Sequence, residues 1–136
     1  SVIGRYDLFQ KMVKSSFQET WPSLFIGKKH TNSKLHTDNG ATGFWMYLIS
    51  GRKRWITYEH SEKPFIYENV KESLFLADVL SLNKDKETNS DFDKRYPLLR
   101  RAAEPGSGGY EFIQEPGQLV YIPPDGPHAV ENLEDI

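Results

Sequence analysis

Apolar positions near the start of the chain recur at the period of a helix. Leu8, Phe9, Met12, Val13, Phe17 and Trp21 lie three or four residues apart, which places them on one helical face. Gly4 and Pro22 bracket the segment, so the pattern predicts a helix over Tyr6–Thr20 whose apolar face packs on a sheet. Beyond Pro22 the pattern shortens to that of strands. Leu24-Phe25-Ile26, closed by Gly27, predicts a short strand over Ser23–Gly27, and the polar run Lys28–Lys34 predicts a loop. Gly43–Ser50 is almost continuously apolar and aromatic, as in a strand buried on both faces. Lys53–Tyr58 alternates charge with bulk and predicts the next strand, joined to the last through Ser50-Gly51-Arg52.

The second half is less regular. Phe65-Ile66-Tyr67 is a short apolar piece, and Ser73–Leu82 fits either a helix or a sheet-edge element. Asn83–Asp93 is polar and charged and predicts an excursion without fixed structure. A helical turn is expected after Pro97, and the Pro/Gly/Ser-rich stretch Glu104–Gly109 reads as a loop. Tyr110–Gln114 and Leu119–Ile122 read as strands around the turn Glu115-Pro116-Gly117-Gln118. The architecture that emerges is mainly β, an antiparallel barrel or jelly roll with an N-terminal helix and short helical insertions. No repeat or linker divides the chain, so residues 1–136 are expected to form one domain.

Composition narrows the function classes. The net charge of −2 gives no global attraction to nucleic acid or to acidic membranes. Local basic clusters (Arg52, Lys53 and Arg54; Lys94, Arg95, Arg100 and Arg101) read first as solvated surface. No cysteine is present, which removes disulfide and thiolate chemistry. No signal peptide or long apolar span is visible, so no membrane role is expected and the location expected is intracellular, nuclear or cytoplasmic.

The candidate chemistry lies in Leu35-His36-Thr37-Asp38 and in Ile122-Pro123-Pro124-Asp125-Gly126-Pro127-His128. An imidazole and a carboxylate two residues apart share one face of an extended segment. With His128 they make two histidines and one carboxylate, the facial set that binds non-haem Fe(II) and leaves positions open for reactants. Taken singly, His36 is as well explained as a half-buried strand residue and His128 as a loop residue; jointly they point to a metal site. His30 and His60 fall outside the pattern and are assigned to the surface. Lys53, fifteen residues after Asp38 at the start of a strand, could anchor an acidic co-substrate.

In this order and spacing, with Ser33 before the His-x-Asp motif, Gly51-Arg52-Lys53-Arg54-Trp55 after it and His128 followed by Asn132, the chain resembles the Jumonji C family from about Ser23 onward. These are Fe(II)- and 2-oxoglutarate-dependent oxygenases. The resemblance implies a double-stranded β-helix of the cupin type, with His36, Asp38 and His128 as metal ligands at one end of the barrel. It implies that Lys53 pairs with the distal carboxylate of 2-oxoglutarate. Ser33, where relatives carry threonine, would add a hydroxyl to that carboxylate. Two positions depart from the family. Phe44 or Met46 stands where many relatives have an asparagine that helps hold 2-oxoglutarate, and Pro127 where they often have tryptophan. Asn132 matches a recurring asparagine, read here as supporting the site from behind.

The implied reaction couples decarboxylation of 2-oxoglutarate to hydroxylation of an unactivated C–H bond, which ends in demethylation where the carbon sits on a methylated nitrogen. Protein side-chain hydroxylation is the expected activity, on a protein or peptide partner. The alternatives are demethylation of lysine or arginine in histones or other proteins, hydroxylation of a nucleoside in RNA, and a non-catalytic scaffold. The family usually continues past a point equivalent to Ile136 with a further strand and a helical region. The chain is therefore expected to be a fragment whose last segment leaves a sheet edge open.

Overall fold

The structure is a computed structural model that describes residues 23–38, 40, 42–69, 74–81 and 90–136. The helix expected over Tyr6–Thr20 lies outside them. The described residues are mostly β, arranged as two facing antiparallel sheets in a jelly roll. Strands are β1 (Asn32–His36), β2 (Phe44–Tyr47), β3 (Lys53–Tyr58), β4 (Glu68–Asn69), β5 (Leu74–Phe75), β6 (Gly109–Gln114), β7 (Leu119–Ile122) and β8 (His128–Asn132). One sheet runs β4-β5-β1-β8-β3-β6, and β2 pairs with β7 in the other.

Strand β3 organises the large sheet. It pairs with β6 on one side and β8 on the other, with Thr57 opposite His128, Trp55 opposite Val130 and Lys53 opposite Asn132. Alternation then sends Lys53, Trp55 and Thr57 to the face that carries His128 and Asn132, and Arg54, Ile56 and Tyr58 to the other. The second face holds the apolar core. Leu35, Ile56, Tyr58, Phe75 and Ala129 from the sheet are covered by Ile66, Val79, Leu99 and Ala102 from the segments that cross over it. The first face looks toward β2 and β7, where Phe44 packs on Trp55 with ring centroids 6.3 Å apart.

Fully buried Gln114 ties the two sheets together. Its Oε1 accepts from Trp55 Nε1, and its Nε2 donates to the carbonyls of Met46 and Gln118. At Gly117 the chain reverses with φ 86°, and Gln118 N–H donates to Glu115 O. Proline at the second and glycine at the third position are what such a turn requires.

Several expectations are corrected here. Ser23–Gly27 is not a strand; Leu24, Phe25 and Ile26 are irregular and exposed. The loop expected to run to Lys34 ends earlier, because β1 begins at Asn32. The apolar run Gly43–Ser50 contains β2, but it is not buried on both faces: Trp45 and Tyr47 are more than half exposed, and their neighbours on β7, Tyr121 and Leu119, are exposed beside them. Of the stretch Ser73–Leu82, the described residues 74–81 hold a short strand, Leu74–Phe75, and then a 3₁₀ turn, Val79–Ser81. Of the excursion expected over Asn83–Asp93, residues 83–89 lie outside the described residues, and its end is part of a helix, Ser90–Arg95. After Pro97 come turns and a 3₁₀ segment, Arg101–Ala103, as expected. Strand β8 lies inside the large sheet, between β1 and β3.

Candidate metal centre

The His-x-Asp motif sits where β1 ends against β8. His36 lies opposite His128 and Ser33 opposite Val130, with an irregularity between the two pairs. In a regular strand, residues three apart point to opposite faces. A bulge that sets three residues of β1 against two of β8 returns Ser33 and His36 to the same face, the one that carries His128, Trp55 and Lys53. Leu35 takes the opposite direction into the core and is buried.

The two imidazoles stand 4.3 Å apart, centroid to centroid. Each is oriented through Nδ1: that of His36 lies 2.6 Å from Lys34 O, and that of His128 lies 3.0 Å from Gly126 O. With Nδ1–H donating to a carbonyl, Nε2 is left as the lone-pair atom of both rings. One ligand atom from each of His36, Asp38 and His128 can be chosen so that all three lie within 4.8 Å of one another. Asp38 Oδ1 is 3.9 Å from His36 Nε2, while Asp38 Oδ2 is buried without a hydrogen-bond partner. A buried carboxylate oxygen left unpaired is costly unless a cation meets it. These donors fit a divalent ion: two imidazoles and one carboxylate at one point, with an unmet oxygen among them. Burial pushes His128 below the usual histidine range, and His36 adds to this; Gly126 and Asp38 act the other way. The net effect keeps the ring neutral, the form that binds metals.

Phe44 closes one side, its ring 5.2 Å from that of His128, and Trp55 lies 6.1 Å from the same ring. Phe44, one of the two positions at which relatives are expected to carry asparagine, is thus an aromatic ring packed on a candidate ligand.

Lys53 is buried on the same face, and its Nζ donates to Asn132 Oδ1 at 2.7 Å. Burial holds its pKa below the usual lysine value. Asn132 is fixed in turn, since its Nδ2 donates to Thr31 Oγ1 at 2.8 Å. A Cβ at Gly27 would come within 2.5 Å of that Nδ2, so the absence of a side chain there leaves room for the amide. Ser33 lies on the same face and is exposed.

The rest of the basic run turns away. Arg54 pairs with Glu111 at 2.6 Å and Arg52 with Glu134 at 2.7 Å. Arg100 pairs with Asp93, and Arg101 lies over the Phe65 ring. His30 and His60 are exposed, as expected.

Sequence reasoning missed Gln114, Lys63 and Asp125. Lys63, nearly buried in the 3₁₀ segment His60–Phe65, donates to Asp125 Oδ1 at 2.6 Å and to Glu68 Oε1 at 3.1 Å. Burial lowers the pKa of this lysine, but its two carboxylate partners outweigh it and leave it above the usual value. A lysine in a polar stretch and an aspartate in a proline turn carry no signal that they meet.

The model of the JmjC domain, described as a hydroxylase, matches residues 23–135. The chain belongs to the JmjC family. Fe(II) and 2-oxoglutarate are the cofactors of this oxygenase family. The chain is 25% identical to the arginine-specific demethylase JMJ20 of Arabidopsis thaliana, over 95% of its own length and 25% of the relative. It is 26% identical to human HSPB1-associated protein 1, over 96% of this chain and 26% of that one. To the 2-oxoglutarate and iron-dependent oxygenase JMJD4 of Danio rerio it is 27% identical, over 82% and 24%. The chain spans about a quarter of the length of these relatives. Among the described residues, no helix is long and apolar enough to cross a membrane.

Proposed function

We propose that the chain is the catalytic domain of an Fe(II)- and 2-oxoglutarate-dependent dioxygenase that hydroxylates protein side chains. The observation that carries the reading is the unpartnered Asp38 oxygen beside two imidazoles that each keep Nε2 free. His36, Asp38 and His128 would hold the metal as two neutral ligands and one anion, which leaves net positive charge for a dianionic co-substrate. When bound, Fe(II) with 2-oxoglutarate and O₂ supplies oxidative decarboxylation coupled to oxygen insertion into a C–H bond.

The chain's own groups bind and orient. Lys53 takes the far carboxylate. It stands four residues from Thr57, the partner of His128, or roughly 13 Å along the strand at about 3.3 Å per residue. The lysine side chain and a five-carbon diacid together bridge that distance. Asn132 holds the ammonium ready, and Ser33 offers its hydroxyl from β1. Phe44 and Trp55 exclude water from the metal side.

A protein substrate is favoured over RNA because Arg52, Arg54 and Arg100 are engaged with carboxylates rather than presented to phosphates. The family description favours hydroxylation. Demethylation is the second reading, favoured by the likeness to an arginine-specific demethylase. The test is succinate formation with Fe(II) and 2-oxoglutarate across peptide, histone and RNA pools, with mass spectrometry of the products. Gain of one oxygen atom on a peptide supports the proposal; loss of a methyl group moves it to the second reading; modified RNA overturns it. Asp38→Ala, His36→Ala and His128→Ala should each abolish turnover, and full activity in any of them removes that ligand.

A further inference from the structure

We infer that Lys63 and Asp125 form a clamp that positions His128 for metal binding, so that both are positioning residues of the site proposed above, on which this inference rests. The turn before His128 is unusual. Gly126 N–H donates to Pro123 O at 3.0 Å, and Asp125 sits at the third position of this turn with φ 59°. That conformation favours glycine or asparagine, and an aspartate adopts it at some cost.

The carboxylate is anchored at both oxygens. Oδ1 accepts from Lys63 Nζ at 2.6 Å and Oδ2 lies 2.9 Å from His60 Nδ1. Lys63 is nearly buried and is held again by Glu68, so the clamp is fixed to the 3₁₀ segment and to β4 rather than to the turn itself. One residue beyond Asp125, the carbonyl of Gly126 accepts from His128 Nδ1 and sets the tautomer and direction of the ring. Two residues beyond it, Pro127 O accepts from Tyr58 N–H at 2.9 Å and fixes the chain on β3. The ligand's orienting acceptor thus lies between two anchors, one a backbone bond and the other the Lys63–Asp125 pair. Groups that orient a ligating histidine change metal affinity by about 10–100-fold when they are lost.

The test measures Co(II) binding, as an air-stable probe of the metal site, on metal-free protein without 2-oxoglutarate. The readouts are the dissociation constant and the d–d absorption spectrum. Lys63→Met removes the cation. Asp125→Gly removes the carboxylate while leaving a residue that tolerates positive φ, so the turn still forms. Both should weaken Co(II) by about 10–100-fold and alter the spectrum, and Lys63→Arg should recover most of the affinity. Leu99→Ala, in the apolar core on the other face, serves as a variant that weakens the fold alone. If wild type binds and the two clamp variants bind equally well, the clamp is wrong and the metal reading stands. A similar loss in Leu99→Ala also overturns the clamp, because it would mark general loosening. If wild type binds no Co(II), the metal reading fails and the clamp with it.

Discussion

A buried lysine is expensive unless it has an anion to meet, and among the described residues the Lys53 side chain meets only a neutral amide oxygen. Desolvation without a countercharge explains its lowered pKa, and it also explains why a diacid would gain by binding there. Breaking a buried ion pair costs roughly 3–5 kcal/mol, and about 1.4 kcal/mol is tenfold in an equilibrium constant. Lys53→Ala should therefore raise the apparent constant for 2-oxoglutarate by roughly two to three decades, with metal binding retained. Lys53→Arg should recover part of it, since the planar fork does not occupy the same point. A titration of succinate formation beside metal content measures both, and an unchanged curve for Lys53→Ala would assign the acid to another group. Lysine at this point was legible in the sequence because the strand alternates charge with bulk. Its partner Asn132 was legible only as a family position, because nothing local links it to Thr31 and Gly27.

At the level of elements, legibility followed the face a strand turns inward. Lys53–Tyr58 and Leu119–Ile122 were read with the bounds they have, since alternation or an apolar run marks them. Strand β8 went unread. Its inner face carries His128, Val130 and Asn132 and its outer face Ala129 and Glu131, so each face mixes polar with apolar. A site that must be polar inside a barrel erases the pattern that would announce the strand. In β1 the bulge breaks the period itself. For β2 the failure ran the other way: outward Trp45 and Tyr47 make a one-sided strand look like a buried one.

The turn before His128 has a pH signature. The Asp125 carboxyl is held below the ordinary 3.8, first by its hydrogen bond from Lys63 and then by the charges of Lys63 and His60; burial opposes this. A depressed folded pKa contributes stability above the unfolded value and loses it as pH falls through the folded one. Glu68 and His60 face the same cluster. The gap in melting temperature between wild type and Lys63→Met should therefore be full near pH 5 and shrink as the pH falls below 3.8. A gap that stays constant into acid would show that the pair contributes through packing rather than charge.

In the whole molecule, the large sheet separates two kinds of work. Its outer face carries the continuous apolar core, and its inner face carries His36, His128, Lys53 and Asn132 among a few aromatic rings. That core holds most of the buried apolar residues, so stability should lean on the outer face, with Trp55 as the inner exception, and metal affinity on the inner one. Leu99 is fully buried in the outer layer, and truncation of such a residue costs about 2–5 kcal/mol. Trp55 is equally buried on the inner face. It also donates to Gln114, which joins the two sheets, and stacks beside Phe112. Leu99→Ala should lower the melting temperature and leave Co(II) affinity within a few-fold of wild type. Trp55→Ala should cost about 3–5 kcal/mol and weaken Co(II) as well, because it removes a wall beside His128 and the bond that holds the sheets together. Thermal melts and metal titrations on the two variants, with the titrations run at a temperature where both are folded, separate the outcomes. Equal loss of metal affinity in both would mean that the two faces are one cooperative unit, and that the sheet does not insulate the site from its core.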